Sequence, residues 1–136
     1  MAEFVVPYHP TLAAYAVLGV LVLVQVSVAD VAGIGARHVP GMPVTTGHGD
    51  FFFRATRAYA NTNESLATFV LLTLAAILLG ANAAWTNRLA VVFVASRAVH
   101  MLAYYTDLRT LRSTAFGVGL LCLIGLAVCA GAAALG

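Results

Sequence analysis

Asp50–Thr68 reads DFFFRATRAYANTNESLAT and runs straight into the apolar stretch FVLLTLAAILL. It enters a membrane-length hydrophobic segment yet carries Arg54, Arg57, Asn61 and Glu64. At ~100° per residue of helix these four positions fall within an arc of about 80°. A stripe holding both signs of charge at the mouth of a membrane span is costly. Intramembrane ionisable groups are by default functional-site hypotheses. The stripe is therefore expected to face inward and hold a small charged molecule.

The surroundings fit a membrane protein. Of 136 residues, 62% are hydrophobic and 9% charged, with a mean hydropathy of +0.95, whereas soluble domains carry roughly a quarter charged residues. The net charge of +2, from seven Arg and no Lys, is too small for a nucleic-acid footprint. The opening MAEFVVPYHP lacks the basic start of a cleaved signal peptide, so the first helix is expected to stay in the mature protein. Cys122 and Cys129 lie two helical turns apart, roughly 10 Å, which is too far for a disulfide. They read as packing residues, with no zinc-ligand pattern around them.

Taken in order, the chain reads as one integral-membrane domain of four helical spans. Span one covers residues 12–29, after Pro10 at a tolerated start position and with Gln25 as its main polar interruption. A Gly- and Pro-rich loop follows, carrying Arg37, His38 and His48, and it is long for a helix–helix joint. Span two, residues 51–84, starts on Asp50 as N-cap and is longer than a bilayer core requires. Residues 82–88 read as a short turn with Trp85 at interfacial depth. Span three, residues 89–105, is the least apolar and places Arg97, His100 and Tyr104 on one face. A polar loop with Asp107, Arg109 and Arg112 leads to span four, residues 114–135, rich in Gly and Ala. Arg37, Arg54, Arg57, Arg109 and Arg112 then share one side, against Arg88 on the other. Positive-inside bias places the arginine-rich loops in the cytoplasm, as in a bacterial inner membrane, with both termini outside.

Two readings of the polar stripes stand side by side. Glu64 and Arg97 can form a structural ion pair between spans two and three, which would be costly to break. That pair leaves several arginines on the same side without partners. Asp30, Asp50 and Asp107 can serve some; an anion, or a zwitterion with excess negative charge, would serve the rest through bidentate guanidinium contacts.

Three linked motifs carry a resemblance: Arg57-Ala-x-x-Asn61-x-x-Glu64 on span two, Ser-Arg97-x-x-His100-x-x-x-Tyr104 on span three, and Arg112-Ser113-x-x-Phe116 at span four. Together they resemble the MAPEG family, the membrane-associated proteins of eicosanoid and glutathione metabolism, over nearly the whole chain. The resemblance implies a four-helix bundle assembled as a homotrimer, with glutathione bound between subunits near the cytoplasmic side. By resemblance the site would be lined by Arg57, Asn61, Glu64, His100, Tyr104, Arg112 and Ser113, with Arg37 reaching in from a neighbouring subunit. Two carboxylates, one ammonium and a thiol make glutathione complementary to an arginine-rich pocket with one Glu.

The implied chemistry is that of a glutathione-dependent transferase or peroxidase. It uses the thiolate, which a free thiol near pKa ~8.5 supplies only in part at neutral pH. Lowering that value by ~2 units takes about 2.7 kcal/mol, within reach of one Arg and one hydroxyl donor. Arg112 would stand nearest sulfur, with Ser113 or Tyr104 as donor. The co-reactant would be a lipophilic electrophile or lipid hydroperoxide arriving through the bilayer. Three positions depart from the family pattern. Thr68 stands where many members have Pro, Ala60 where prostaglandin E synthase has Arg or a polar residue, and Phe116 where some members have Tyr. A non-catalytic member, binding glutathione or serving a larger complex structurally, is the alternative. A small transporter using Glu64 is a third reading, which the arginine surplus disfavours. No nucleotide loop or nucleophile triad is present.

Overall fold

The computed structural model describes residues 3–136. A 3₁₀ turn, Glu3–Tyr8, leads into four helices: α1 His9–Gly35, α2 Phe51–Leu78, α3 Ala83–Tyr105 and α4 Arg109–Leu135. Three segments, Glu3–Gly35, Phe51–Leu78 and Arg109–Leu135, are long and apolar enough to cross a membrane. The remaining helix, α3, carries Arg88, Arg97 and His100 and owes its place to its neighbours: it packs on α1, α2 and α4. Among the described residues the backbones of α1 and α4 nowhere come close to each other. The cross-section is thus a rhombus, with α2 and α3 across the short diagonal and α1 and α4 at the far corners.

Local chemistry sets the helix ends. The Asp50 carboxylate accepts from the Phe52 N–H at 2.9 Å and starts α2. Asn82 does the same for α3, accepting from the Trp85 N–H at 3.1 Å. Three helices close on a residue in the left-handed region: Arg37 after α1 (φ 53°), Gly80 after α2 (φ 69°) and Asp107 after α3 (φ 56°). Each closure carries a backbone bond reaching back five residues: His38 N–H to Gly33 O, Ala81 N–H to Ala76 O and Leu108 N–H to Ala103 O. This is the Schellman pattern, which satisfies carbonyls left over at a helix end.

These caps correct the sequence-based boundaries. α2 stops at Leu78, not Ala84, because Gly80 turns the chain left-handed inside an otherwise apolar run. α3 consequently begins at Ala83, so Trp85 lies in its first turn and not in a loop. α1 extends to Gly35, which shortens the connecting loop to residues 36–50. α4 begins at Arg109, with the Arg112 N–H bonded to Leu108 O at 3.0 Å. Arg109, Arg112 and Ser113 are therefore held on a helix, where a polar loop was expected.

The core sits on the short diagonal. Phe69 of α2 and Phe93 of α3 stack at 4.4 Å, and Tyr15 of α1 meets Phe69 edge-on at 5.6 Å. Leu18, Cys122 and Leu126 close around them. Polar links pin the helices: Gln25 Nε2 donates to Thr62 Oγ1 at 3.0 Å, and Thr11 Oγ1 donates to Asn87 Oδ1 at 2.7 Å. Near the N-terminus the Tyr8 hydroxyl donates to Ala81 O. The outward surfaces remain apolar, with Leu23, Leu71, Leu121 and Val128 all more than 60% exposed, as lipid-facing positions would be.

Candidate functional site

One cavity opens at the end of the bundle formed by residues 36–50, the start of α2, the end of α3 and the start of α4, and a second adjoins it toward the middle of the bundle. The smaller, about 200 Å³, is polar and lined by Asn61, His100, Tyr104, Arg112, Ser113 and Phe116. Five of these six are residues that the sequence placed in the ligand site; the sixth, Phe116, was singled out as a departure. The larger, about 450 Å³, lies between α2 and α4. Asn61, Glu64, Ser65 and Arg97 stand among its lining residues, with Leu72, Leu120, Leu123 and Ile124 contributing apolar wall. Asn61 and Phe116 belong to both.

Arg97 is 1% exposed. Its Nη1 donates to Asn61 Oδ1 at 3.0 Å and its Nη2 to Ala115 O at 3.3 Å, while its buried Nε has no partner. The guanidinium lies between the rings of Phe93 and Phe116, 5.5 and 5.8 Å from their centroids. Gly119 makes room for it: a Cβ there would stand 2.5 Å from Nη2. The Glu64–Arg97 ion pair expected from sequence does not form. Asn61, one turn before Glu64 on α2, takes the guanidinium instead, and Glu64 stays on the exposed surface.

Arg112 stands over the face of Tyr104, 4.6 Å from the ring centroid. Its Nη1 donates to Nδ1 of His48 at 3.2 Å. A guanidinium can only donate, so this contact requires a neutral imidazole with its proton on Nε2. Arg54 Nη1 donates to the His48 carbonyl at 2.6 Å. His100 is 2% exposed, edge-on to Tyr104 at 5.0 Å, and its Nδ1 is buried without a partner.

Other expected site residues are not brought together within one chain. Arg57 is exposed and lines neither cavity. Arg37 is exposed in its left-handed cap and lines a separate cavity of about 400 Å³ with His38, Val39 and Asp50. The α2 stripe thus does not face inward as a whole. Asn61 points into the bundle, Glu64 lines the larger cavity from an exposed position, and Arg57 lies outside both cavities. The residue that sequence reading missed is His48, seen only as part of a Gly-rich loop. Its flanking GHGD turn into the α2 cap was the available signal.

A family model described as the MAPEG family matches residues 11–132 of the chain. No curated protein and no solved structure matches it.

Proposed function

The chain belongs to the MAPEG family, and from that premise we propose that it is a glutathione-dependent membrane transferase or peroxidase acting on lipophilic substrates. The observation that carries this reading is the polar cavity itself. It gathers Asn61, His100, Tyr104, Arg112 and Ser113 beside an apolar cavity open between two membrane-length helices. Arg109 and Arg112 occupy the first turn of α4, the positive end of its dipole, where cations are disfavoured and an anion gains from both. A carboxylate- and thiolate-bearing tripeptide meets that demand.

In this reading Arg112 neutralises the glutathione thiolate, with the Ser113 or Tyr104 hydroxyl donating to sulfur. Asn61, oriented by Arg97, takes a polar group of the tripeptide, and His100 lines the wall beside it. The apolar cavity admits an electrophile or lipid hydroperoxide from the bilayer and delivers it past Phe116. A volume of about 200 Å³ falls below the ~300–1,000 Å³ typical of small-molecule sites, and the outward face of Arg57 and Glu64 lacks cover within the chain. Both features support a homotrimer in which Arg57, Glu64 and a neighbour's Arg37 complete the pocket. The arginine-rich end would face the cytoplasm, both termini the other side.

The test is turnover of an aromatic electrophile and of a hydroperoxide by the purified protein. Arg112→Ala is expected to lower kcat by about 100-fold or more while raising KM for glutathione by much less. Equal losses in both would remove Arg112 from sulfur. Phe116, shared by both cavities, supplies no hydroxyl. Saturable binding without turnover of either substrate would favour the non-catalytic reading.

A further inference from the structure

We propose that His48, in the loop between α1 and α2, is a positioning residue that holds the Arg112 guanidinium against Tyr104 and so aims it into the polar cavity. The proposal rests on the assignment of Arg112 to the glutathione thiolate. Four contacts converge on this one loop residue. Its Nδ1 accepts from Arg112 Nη1 at 3.2 Å. Its carbonyl accepts from Arg54 Nη1 at 2.6 Å. Its ring stacks on Tyr104 at 6.3 Å and meets Phe53 edge-on at 5.1 Å.

The geometry makes a chain of custody from α2 to α4. The Asp50 N–H donates to Gly47 O at 2.9 Å and its carboxylate caps α2, so the turn bearing His48 is tied to the helix start. Arg54, one turn into α2, then fixes the His48 backbone. The imidazole in turn occupies one face of the Arg112 fork, leaving its other N–H groups for a ligand; a guanidinium has five donors and uses one here. Without His48, a long Arg side chain on the first turn of a helix keeps only the Tyr104 face as a restraint, and its rotamer freedom returns. Catalytic groups lose rate steeply when their placement loosens.

Two measurements on the full-length protein in detergent test this. The first needs no ligand: the rate at which phenylglyoxal modifies Arg112, followed by mass spectrometry. Asn keeps an acceptor near the place of Nδ1, so His48→Asn is expected to react like the wild type. His48→Ala is expected to react about three- to tenfold faster, the net scale of one intramolecular hydrogen bond, and Arg54→Ala to fall between. Equal rates in all four proteins would overturn the proposal. The second follows the ultraviolet absorbance of the bound thiolate against pH. In His48→Ala the midpoint is expected to move toward the ~8.5 of a free thiol, with glutathione affinity changed far less and His48→Asn unaffected. An unmoved midpoint would also overturn it. If the wild type forms no bound thiolate at all, the functional reading fails, and the phenylglyoxal rates alone decide the role of His48.

Discussion

Arg97 shows how far a residue's partner can be inferred from spacing. A buried guanidinium needs hydrogen bonds, and Glu64 offers the right charge at the right helical phase. The bonds go to Asn61 and the Ala115 carbonyl, because these lie inside the bundle while Glu64 is on its surface. Charge complementarity was legible; which of two polar residues on one stripe turns inward was not, since that depends on helix rotation, which residue spacing does not give. A consequence follows for Glu64→Gln. Breaking a buried ion pair costs about 3–5 kcal/mol, whereas an exposed carboxylate changes stability by under ~0.5 kcal/mol. The structure predicts the second outcome in chemical unfolding, together with weaker glutathione binding if Glu64 meets the ligand ammonium.

At the scale of elements, the four helices and their order were legible from hydrophobic runs, and the start of α2 from Asp50. The ends of α3 at Tyr105 and α4 at Leu135 were legible too; the end of α2 and the start of α4 were not, for two opposite reasons. Leu79-Gly80-Ala81 is apolar, so hydropathy carried α2 through a turn that only the left-handed glycine marks. Arg109–Ser113 is polar, so the first turn of α4 looked like loop, although helices readily begin with polar residues. The shift matters for chemistry. Helical geometry fixes Arg112 and Ser113 relative to Tyr104, where a loop would let them wander. The Asp50 cap is predicted to matter in the same way at the other helix. Asp50→Ala should cost about 1 kcal/mol of stability and loosen the turn that bears His48. Thermal unfolding measures the first effect, and loss of turnover beyond what the stability change explains measures the second.

For the whole molecule, the polar cavity assembled from three helices was the most legible part of the candidate site, since its motifs lie on faces that a bundle must bring together. Arg37 and Arg57 belong to surfaces that one chain leaves open. The rhombic section leaves Arg57 and Glu64 exposed beside the apolar cavity, and in the proposed trimer a neighbouring copy covers them. Native mass spectrometry from detergent is expected to find a trimer; a monomer at micromolar concentration would leave the pocket incomplete.

The most direct measurement is a calorimetric titration of glutathione into the detergent-solubilised wild type and into Arg112→Ala. The account predicts saturable binding to the wild type, with the thiol proton released on binding, and loss of that proton release in the variant. Absence of saturable heat in the wild type, or identical proton release in both proteins, would contradict it.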